Sequence, residues 1–466
     1  MTAFSPVRRW TEIRSDIDYT RFSDKTQLVN HIPNAQVITS KLQLIKTLRD
    51  RQRQIRREAS SKIGGKEGAD GKVMSPLKME EYLPPSYSLT LGSDKIELLN
   101  HMQVNLSSTF APSPLYFRCL SSFLSSSTHP LVSRVHLLRL PLSLSLLHPP
   151  SPDLSPHLFT QAGLRGEDNS AWIIKPASAN CGRGIVVTRD YEMVLKEHLC
   201  WVKGKKNALP CDGPQISGGG IESTPPEGKD DDADVAGGEG YFGSNGNEAK
   251  VIIQRYIPRP LLLGGRKFDI RCYLLIASTK PYLVLFRGGY VRRSLSQYSE
   301  DDLSDRFAHL TNAAVQKKHA DYDKMKEDSI WSMDMLQSHL ETSGEATKGW
   351  VPDVLTPQLR RVCSEVFQAA KPKLQRRRGF FELLGVDFLI DADLRPWLLE
   401  VNTNPALWVS SEVQKAVIPP LVRDTVSVAL SAWDQTKDAS TNINTETLEG
   451  MEGFDVIYDE SNEQQG

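Results

Sequence analysis

The chain has 466 residues, 24% of them charged, and a formal net charge of −1 at pH 7, so it can hold two or three domains with a core and lacks the basic excess of a general nucleic-acid-binding protein. Its six cysteines show no paired CxxC spacing, which favours reduced intracellular thiols over a disulfide framework or a zinc site. Because MTAFSPVRRW at the N-terminus lacks the apolar region of a secretory signal and no uncharged apolar run reaches the roughly 18 residues of a membrane span, we expect a soluble cytosolic protein.

The first hundred residues alternate short apolar runs with helical ones. The run QVITSKLQLIKTL leads into RDRQRQIRREASSK, residues 49–62, whose dense charge predicts an exposed helix. Its arginines either form an ordinary solvated face or offer a patch to an acidic partner, and the sequence leaves both interpretations open.

The composition changes abruptly from residue 107 to residue 163. This segment consists of simple runs such as SSFLSSS and PLSLSLLHPPSP, with Asp153 as its one acid and neither Lys nor Glu. It has neither sustained helical periodicity nor clean alternation. We interpret it either as a disordered insertion or as non-native coding sequence, such as a read-through intron.

Strand and helix patterns return after this segment. AWIIKP and GIVV are predicted strands on either side of a glycine-containing loop, and YEMVLKEHLC is a predicted helix. The Gly- and Asp-rich stretch 204–248 is predicted to be a flexible loop. KVIIQRYI, RKFDIRCYLLIA and YLVLFRGGYVRRS are three further strands, and a helix is predicted over Thr356–Lys373. The acidic tail 434–466 is predicted to be disordered.

A lysine lies beside the glycine loop. Lys175 ends AWIIKP just before NCGRGI, where its ammonium and the loop N–H groups could bind phosphate oxygens. This is not a Walker A sequence, and turn-forming glycines alone produce the same pattern. In VIIQRYIP, Gln254 either meets an adenine edge or simply lies at the end of a buried strand.

Three charged residues alternate in the strand RKFDIRCYLLI. Lys267, Asp269 and Arg271 share one face, because side chains alternate along a strand. They are either a mutually paired surface stripe or a binding site in which Lys binds phosphate, Asp an ammonium and Arg a carboxylate. The second arrangement would suit an amino acid next to ATP.

The hairpin GVDFLIDADLRPWLLEVNTNP carries polar residues in strands that are too apolar to be solvated. Folding it about Asp393–Leu394 places Asp387 opposite Glu400 and Gly385 opposite Asn402, so the three polar side chains share a face. Facing carboxylates repel unless a cation lies between them, and Asp, Glu and Asn oxygens suit Mg²⁺. The alternative is a hairpin whose polar residues reach a protein edge.

Four successive motifs resemble those of the tubulin tyrosine ligase-like family: WIIKPASANCGRGI, VIIQRYIPRPLLLGGRKFDIRCYLLI, FAHLTNAAVQ and ELLGVDFLIDADLRPWLLEVNTNPAL. The resemblance covers residues 10–100 loosely and 164–433 closely. DYTRFSDKTQLVNHIPNAQVITSK and HLTNAAVQKKHADYDKMKEDSIW are most similar to the glycylase branch. The resemblance implies an α/β (α+β) fold class with ATP-grasp architecture and the nucleotide between central and C-terminal sheets.

The same resemblance implies a division of the chain. The expected parts are an N-terminal subdomain (1–106), the low-complexity segment (107–163), a central ATP-grasp subdomain (164–257), a C-terminal ATP-grasp subdomain (258–433) and the tail (434–466).

Site residues also follow from the resemblance, at the positions that match the motifs. ATP would be bound by Lys175, Arg183, Gly184, Gln254, Arg255, Tyr256, Ile257, Lys267 and, from the N-terminal subdomain, Lys41. The amino-acid substrate would be bound by Asp269, Arg271, Arg292, Thr311 and Asn312. Mg²⁺ would be held by Asp387, Glu400 and Asn402. The catalytic residues would be Asp269, Arg271, Arg292 and Glu400, whereas His309 is expected to be structural.

The resemblance implies an ATP- and Mg²⁺-dependent ligase that forms a peptide bond through an acyl-phosphate, adding glycine to tubulin or another acidic protein. We expect a monomer in the cytoplasm and cytoskeleton, including the cilium or axoneme. Basic residues 49–57 and 371–378 would suit an acidic acceptor. A polyglutamylase of the same family remains one alternative, because no residue of the sequence distinguishes glycine from glutamate. A binding protein without ligase activity is the other, because segment 107–163 departs from the family pattern just before Lys175.

Overall fold

The computed structural model describes residues 7–11, 14–62, 75–88, 94, 171–177, 182–190, 251–437 and 442–463. The low-complexity segment, the loop 204–248 and the helix expected at YEMVLKEHLC lie outside these residues. The chain divides into two compact units, residues 1–88 with 170–187 and 252–466, and residues 89–169 with 188–251. The candidate site described below lies in the first unit.

The described strands are numbered in chain order. They are β1 (Val7–Arg9), β2 (Gln27–Val29), β3 (Ser86–Ser88), β4 (Trp172–Pro176), β5 (Val186–Thr188), β6 (Val251–Arg255), β7 (Leu262–Leu263), β8 (Arg266–Thr279), β9 (Tyr282–Arg293), β10 (Ile330–Ser332), β11 (Glu382–Ile390), β12 (Pro396–Thr403) and β13 (Asp455–Asp459).

The described α-helices are α1 (Gln36–Thr39), α2 (Lys41–Lys62), α3 (Arg306–His309), α4 (Ala313–Gln316), α5 (Tyr322–Met325), α6 (Met333–Ser343), α7 (Thr356–Ala370), α8 (Glu412–Gln435) and α9 (Glu460–Glu463). The second half of α2 is largely exposed, as its charge pattern predicts. A single π-helical turn, Val351–Leu355, leads into α7. Among the described helices, none combines the length and the apolar character needed to cross a membrane.

The larger sheet is built around the long hairpin of β8 and β9. Its strand order is β10-β9-β8-β11-β12, with β13 beside β9 and β7 beside β8, and these pairs are antiparallel. The second half of β8 is apolar on both faces, which is expected of a central strand covered on both sides.

Two hydrophobic cores lie on the two faces of this sheet, because successive side chains of a strand point in opposite directions. Leu274 of β8 shares one core with α7 and α2, and Leu275 shares the other with α8. On the face of Leu275, the first half of β8 carries Lys267, Asp269 and Arg271 instead of apolar residues. This face therefore changes from an apolar helix-packing surface to a polar site along one strand.

The register of the β11–β12 hairpin agrees with the sequence prediction. Asp387 pairs with Glu400 and Gly385 with Asn402. An irregularity in the pairing after Asp387 makes Leu398 the partner of Phe388, so the antiparallel pair contains a β-bulge next to the polar residues.

The smaller sheet has the strand order β3-β6-β4-β5. Its edge strand β3 comes from the N-terminal segment and pairs antiparallel with β6, with Ser86 opposite Gln254. Residues before the low-complexity segment therefore complete the sheet that carries Lys175.

The prediction that residues 434–466 form a disordered tail is wrong for the part that the structure describes. Helix α8 continues to Gln435, and β13 pairs with β9. Phe454 and Tyr458 are buried, and Glu460 accepts a hydrogen bond from the Tyr282 backbone N–H. Acidic composition alone suggested disorder, but the apolar residues of FDVIY find a partner in the otherwise open edge of β9.

Candidate functional site

An open cleft lies beside the polar halves of β8, β11 and β12. The predicted site residues that line it are Lys41, Lys175, Gln254, Arg255, Tyr256, Ile257, Lys267, Asp269, Thr311, Asn312, Asp387, Glu400 and Asn402. The structure thus gathers residues that lie up to 361 positions apart in the sequence, from Lys41 to Asn402.

Lys175 is a half-buried lysine that lines the cleft. Its Nζ donates to Oε1 of Gln254 at 2.7 Å, and Nε2 of that amide donates to Oγ of Ser86 at 2.7 Å. Burial lowers the pKa of Lys175 to about 8, although the charge of Glu400 opposes this effect. The Gln254 amide therefore orients Lys175, whereas the sequence left open whether this side chain meets an adenine edge or simply lies at the end of a buried strand.

Lys267 also lines the cleft and is buried. Its Nζ donates to Oη of Tyr256 at 2.7 Å and to the backbone oxygen of His309 at 3.0 Å, and it lies 4.3 Å from the centre of the Tyr256 ring. Burial lowers the pKa of Lys267 to about 7, against the opposing charge of Asp269. An anionic ligand in the cleft would favour the charged form of both lysines.

His309 supports Lys267 through Tyr256. Nε2 of the imidazole contacts the carbonyl oxygen of Asp302 at 2.7 Å and therefore carries the proton, since a carbonyl only accepts. Nδ1 is left to accept from Oη of Tyr256 at 2.8 Å. Burial lowers the pKa of His309, so the neutral ring matches the structural role that the sequence suggested.

A buried ladder of alternating charges crosses β9, β8 and β11. Arg292 donates to both carboxylate oxygens of Asp269, at 2.7 and 2.6 Å, and its Nη2 is 3.0 Å from Oδ2 of Asp387. Arg271, directly across from Asp387 in the sheet, donates to both oxygens of that carboxylate. Thr311 adds a hydrogen bond to Asp269 at 2.8 Å.

This ladder differs from both sequence interpretations. Asp269 and Arg271 are paired, but with arginine and aspartate from neighbouring strands and in a buried place, not with each other on a surface. Arg271 and Arg292 are absent from the cleft lining and lie behind it, whereas Asp269 and Asp387 line it. Burial would raise the pKa of Asp387, but the two arginines lower it to about 2.

Asp387, Glu400 and Asn402 converge as predicted. Nδ2 of Asn402 is 3.2 Å from Oδ2 of Asp387 and 3.2 Å from Oε1 of Glu400, and Nζ of Lys41 is 3.7 Å from the Glu400 carboxylate. The amide nitrogen of Asn402 thus bridges the carboxylates of Asp387 and Glu400. With the amide turned so that its oxygen faces them, three side-chain oxygens would surround one position, so these residues fit a hard divalent cation. Among the described residues, no three His, Cys, Asp or Glu side chains form a metal-binding group.

The glycine loop after β4 depends on its glycines. Gly182 and Gly184 have left-handed backbones, with φ of +74° and +66°. A Cβ on Gly182 would lie 2.8 Å from Cγ2 of Val315, so a side chain does not fit there without displacing α4. Gly182 lines the cleft, whereas Arg183 and Gly184 are exposed and absent from its lining.

Apart from Ile257, sequence reasoning did not identify the apolar lining of the cleft. The rest of this lining consists of Ile173, Ile185, Leu310, Leu389 and Leu399. Ile173 lies two positions before Lys175 in β4 and therefore on the same face, which was a usable signal. Leu399 is the unpaired residue of the β-bulge in the hairpin, and the sequence carried no signal for that bulge.

Residues 156–438 match the model of the tubulin-tyrosine ligase family. The chain belongs to this family. It is 32% identical to protein polyglycylase TTLL10 of Macaca fascicularis over 92% of this chain and 58% of that protein. It is 32% identical to inactive polyglycylase TTLL10 of Homo sapiens, over 91% and 52% respectively. To the probable tubulin polyglutamylase TTLL9 of Mus musculus it is 32% identical over 58% and 56%.

The chain spans about half the length of the polyglycylase relatives that it matches. Family membership and the mixture of helices with antiparallel sheets are consistent with the α/β (α+β) class expected from the motifs.

The basic segment 371–378 has a structural role in this family member. Arg376 pairs with Glu460, Arg378 donates to the backbone oxygens of Asp24 and Trp433, and Lys373 pairs with Asp50. These cations hold the N-terminal and C-terminal segments against the larger sheet. The sequence suggested that this segment is an open patch for an acidic acceptor, but these three side chains have partners within the protein.

Proposed function

We propose that the chain is an ATP-dependent protein–glycine ligase that adds or elongates glycine side chains on glutamate residues of tubulin or another acidic protein. The observation that carries this proposal is one cleft, in a tubulin-tyrosine ligase family chain, that joins Lys175 and Lys267 to the Asp387, Glu400 and Asn402 group. The polyglycylase names of the similar proteins support glycine as the added amino acid.

ATP would lie in the cleft between the smaller and the larger sheet, in the manner of an ATP-grasp fold. Lys175 and Lys267 would bind phosphate oxygens, together with Lys41 and the loop at Arg183 and Gly184. The apolar lining, with Arg255, Tyr256 and Ile257, would enclose the base. The two lysines are held by neutral partners, Gln254 and Tyr256, so no carboxylate of the described residues is hydrogen-bonded to either ammonium and must be displaced by a phosphate.

Mg²⁺ would be held by Asp387, Glu400 and Asn402. When bound, it would neutralise phosphate oxygens and make the phosphorus a better electrophile. Because two arginines already neutralise Asp387, Glu400 would supply most of the negative charge that attracts the ion. The ladder would keep Asp387 in a fixed orientation.

The reaction requires two transfers. An acceptor carboxylate oxygen attacks the γ-phosphorus of ATP and ADP leaves, which gives an acyl-phosphate. The glycine amine then attacks the acyl carbon, phosphate leaves, and the amine proton passes to water. Arg271 and Arg292, held rigid by Asp269 and Asp387, would position the glycine carboxylate and the acyl-phosphate through the electrostatic field of their guanidinium groups. Thr311 and Asn312 would border the amino-acid site.

The test is incorporation of radiolabelled glycine, with ATP and Mg²⁺, into microtubules that already carry one glycine. Glu400→Gln should reduce incorporation by about 100-fold or more, and Asp393→Asn, in the exposed turn of the same hairpin, should leave it unchanged. A chain lacking residues 107–163 shows whether that segment blocks activity. Absence of labelling in every form would contradict the proposal.

A polyglutamylase is the second candidate, because the similar proteins include probable tubulin polyglutamylases of Tetrahymena thermophila and Mus musculus. Incorporation of labelled glutamate but not glycine would establish it.

A chain without ligase activity is the third candidate, since the human relative is named inactive. In that case the chain would bind microtubules without any labelling. For the active enzyme we propose a monomer at the cytoskeleton, including cilia.

A further inference from the structure

Trp408 and Val409 are large apolar side chains that face solvent beside the cleft. Trp408 is 52% exposed and Val409 38% exposed, although large apolar side chains are usually covered in a folded protein. Nζ of Lys317 lies 3.9 Å from the centre of a Trp408 ring, so a cation–π contact holds the indole in place. We name Lys317, Lys318, Trp408 and Val409 the Trp408 surface.

The Trp408 surface is continuous with the cleft along two segments of the chain. Asn312 lines the cleft and directly precedes α4, and the backbone N–H of Lys317 bonds to the first carbonyl of that helix at 2.9 Å. Five helical residues span about 7 Å, so Lys317 lies within one or two turns of the cleft wall.

The other segment leaves the cleft at Asn402, at the end of β12. Pro405 packs so closely against Gly385 that an added Cβ would lie 2.9 Å from the proline Cβ. The chain then reaches Trp408 three residues later, where it meets Lys317. The two segments therefore leave the same cleft and meet again at this surface.

The Trp408 surface carries excess positive charge. Lys317 and Lys318 are exposed, and neither forms a salt bridge with any residue that the structure describes. Of the acidic residues that follow them in sequence, Asp321 pairs with Lys324 and Asp323 with Lys326, whereas Glu327 accepts a hydrogen bond from the Glu412 backbone N–H. Glu412, shortly after Trp408, pairs with Lys415. Two lysine charges thus remain available to a ligand.

We propose that the Trp408 surface binds the acceptor polypeptide, as an extended acidic segment whose target carboxylate enters the cleft. This inference rests on the ligase function proposed above. Lys317 and Lys318 attract the carboxylates that flank the target residue, and the indole of Trp408 covers the adjacent peptide backbone. An acidic peptide is the occupant because it alone needs both a cationic surface and a path to the phosphate site.

Fluorescence anisotropy of a fluorescein-labelled peptide of glutamates and glycines measures this binding directly, without turnover. The Lys317→Glu/Lys318→Glu variant should bind at least about tenfold more weakly than wild type at low salt, and Trp408→Ala about fivefold more weakly. Matched controls, Lys25→Glu/Lys348→Glu for charge and Met335→Ala for an exposed apolar side chain, should remain within about twofold. These control residues are exposed and lie in other segments.

ATP with Mg²⁺ should stabilise all variants equally, because the surface is outside the nucleotide cleft. Equal peptide binding by the surface and control variants, or no binding by wild type, would overturn the inference. If wild type binds the peptide through this surface but neither ligates nor gains thermal stability from ATP, the proposed ligase function fails while the binding surface stands.

Discussion

Asp387 is the residue on which the contacts of the site converge. Two arginines neutralise its carboxylate, the Asn402 amide touches it, and Glu400 lies directly opposite in the next strand. A buried carboxylate is stable only with such compensation, since desolvation of an unpaired charge costs several kcal/mol. The pairing with two arginines that stabilises Asp387 therefore also fixes its carboxylate at the edge of the cleft.

Arg292→Met tests the ladder. The substitution leaves the buried carboxylate of Asp269 without its bidentate partner and removes one of the two arginines on Asp387. We expect the free energy of unfolding to fall by about 3–5 kcal/mol, measured by urea denaturation. Arg53→Met, at an exposed position of α2, should change it by less than about 1 kcal/mol. An equal effect of both substitutions would contradict the buried ladder.

Tyr256→Phe tests the support of Lys267. Loss of Oη removes a hydrogen-bond partner from both Lys267 and His309 while the ring under the lysine remains. The dissociation constant for ATP should rise about tenfold, equivalent to about 1.4 kcal/mol. Isothermal titration calorimetry measures it, with Tyr322→Phe on α5 as the control. Unchanged ATP affinity would mean that Lys267 needs no support from Tyr256.

At the scale of elements, the edges of the larger sheet show how the chain is held together. β13 covers the edge of β9, and Arg376 and Lys371 from the segment after α7 contact Glu460 and Tyr458. The C-terminal segment is thus part of the sheet that carries the site, and it is not an appended tail.

Truncation after Gly453 tests this element. It should expose the edge of β9, remove the buried Phe454 and Tyr458, and leave the Tyr282 N–H without its acceptor. We expect a lower melting temperature and aggregation, because an open apolar strand edge pairs with other chains. Differential scanning fluorimetry and light scattering measure both. Truncation after Ser461 keeps β13 and should behave like wild type; similar behaviour of the two truncations would contradict this role.

At the scale of the whole molecule, the cleft collects cations from distant parts of the chain. Lys41 comes from the start of α2, Lys175 from the smaller sheet and Lys267 from the larger one. Burial lowers the pKa of Lys175 to about 8 and of Lys267 to about 7. The assembled protein therefore has a pH dependence that no single segment has.

The direction of this dependence follows from proton binding. Above about pH 7 the unfolded chain keeps protons on these lysines that the folded, ligand-free protein has lost, so their contribution makes the free protein more stable as pH rises. This contribution is greatest above the ordinary lysine pKa of 10.5 and is lost as pH falls from there to about 8 for Lys175 and about 7 for Lys267. Bound triphosphate favours the charged lysines, so ATP binding takes up protons and weakens as pH rises.

We therefore expect ATP with Mg²⁺ to raise the melting temperature more at about pH 7 than at about pH 9. Lys267→Met should flatten this dependence, and Lys348→Met, at an exposed position, should preserve it. A stabilisation by ATP that is independent of pH in wild type would contradict the shifted lysines.

Local patterns in the sequence were sufficient for the hairpin. The register of Asp387 with Glu400 follows from the symmetry of two apolar strands about a short turn, because strand pairing across a hairpin is set by residues close in sequence. The shared face of Lys267, Asp269 and Arg271 follows from alternation alone. These parts of the candidate site were predictable without knowledge of the fold.

Partners that come from other strands were decided only by the tertiary structure. Arg271 is 116 residues from Asp387, so no local pattern links these two, whereas Arg292 faces Asp269 across the β8–β9 hairpin. The order of the C-terminal segment likewise depends on the free edge of β9, and the use of the basic segment 371–378 depends on what packs against it. Side-chain periodicity determines which face a residue occupies, whereas the groups that meet it there depend on long-range packing of the strands.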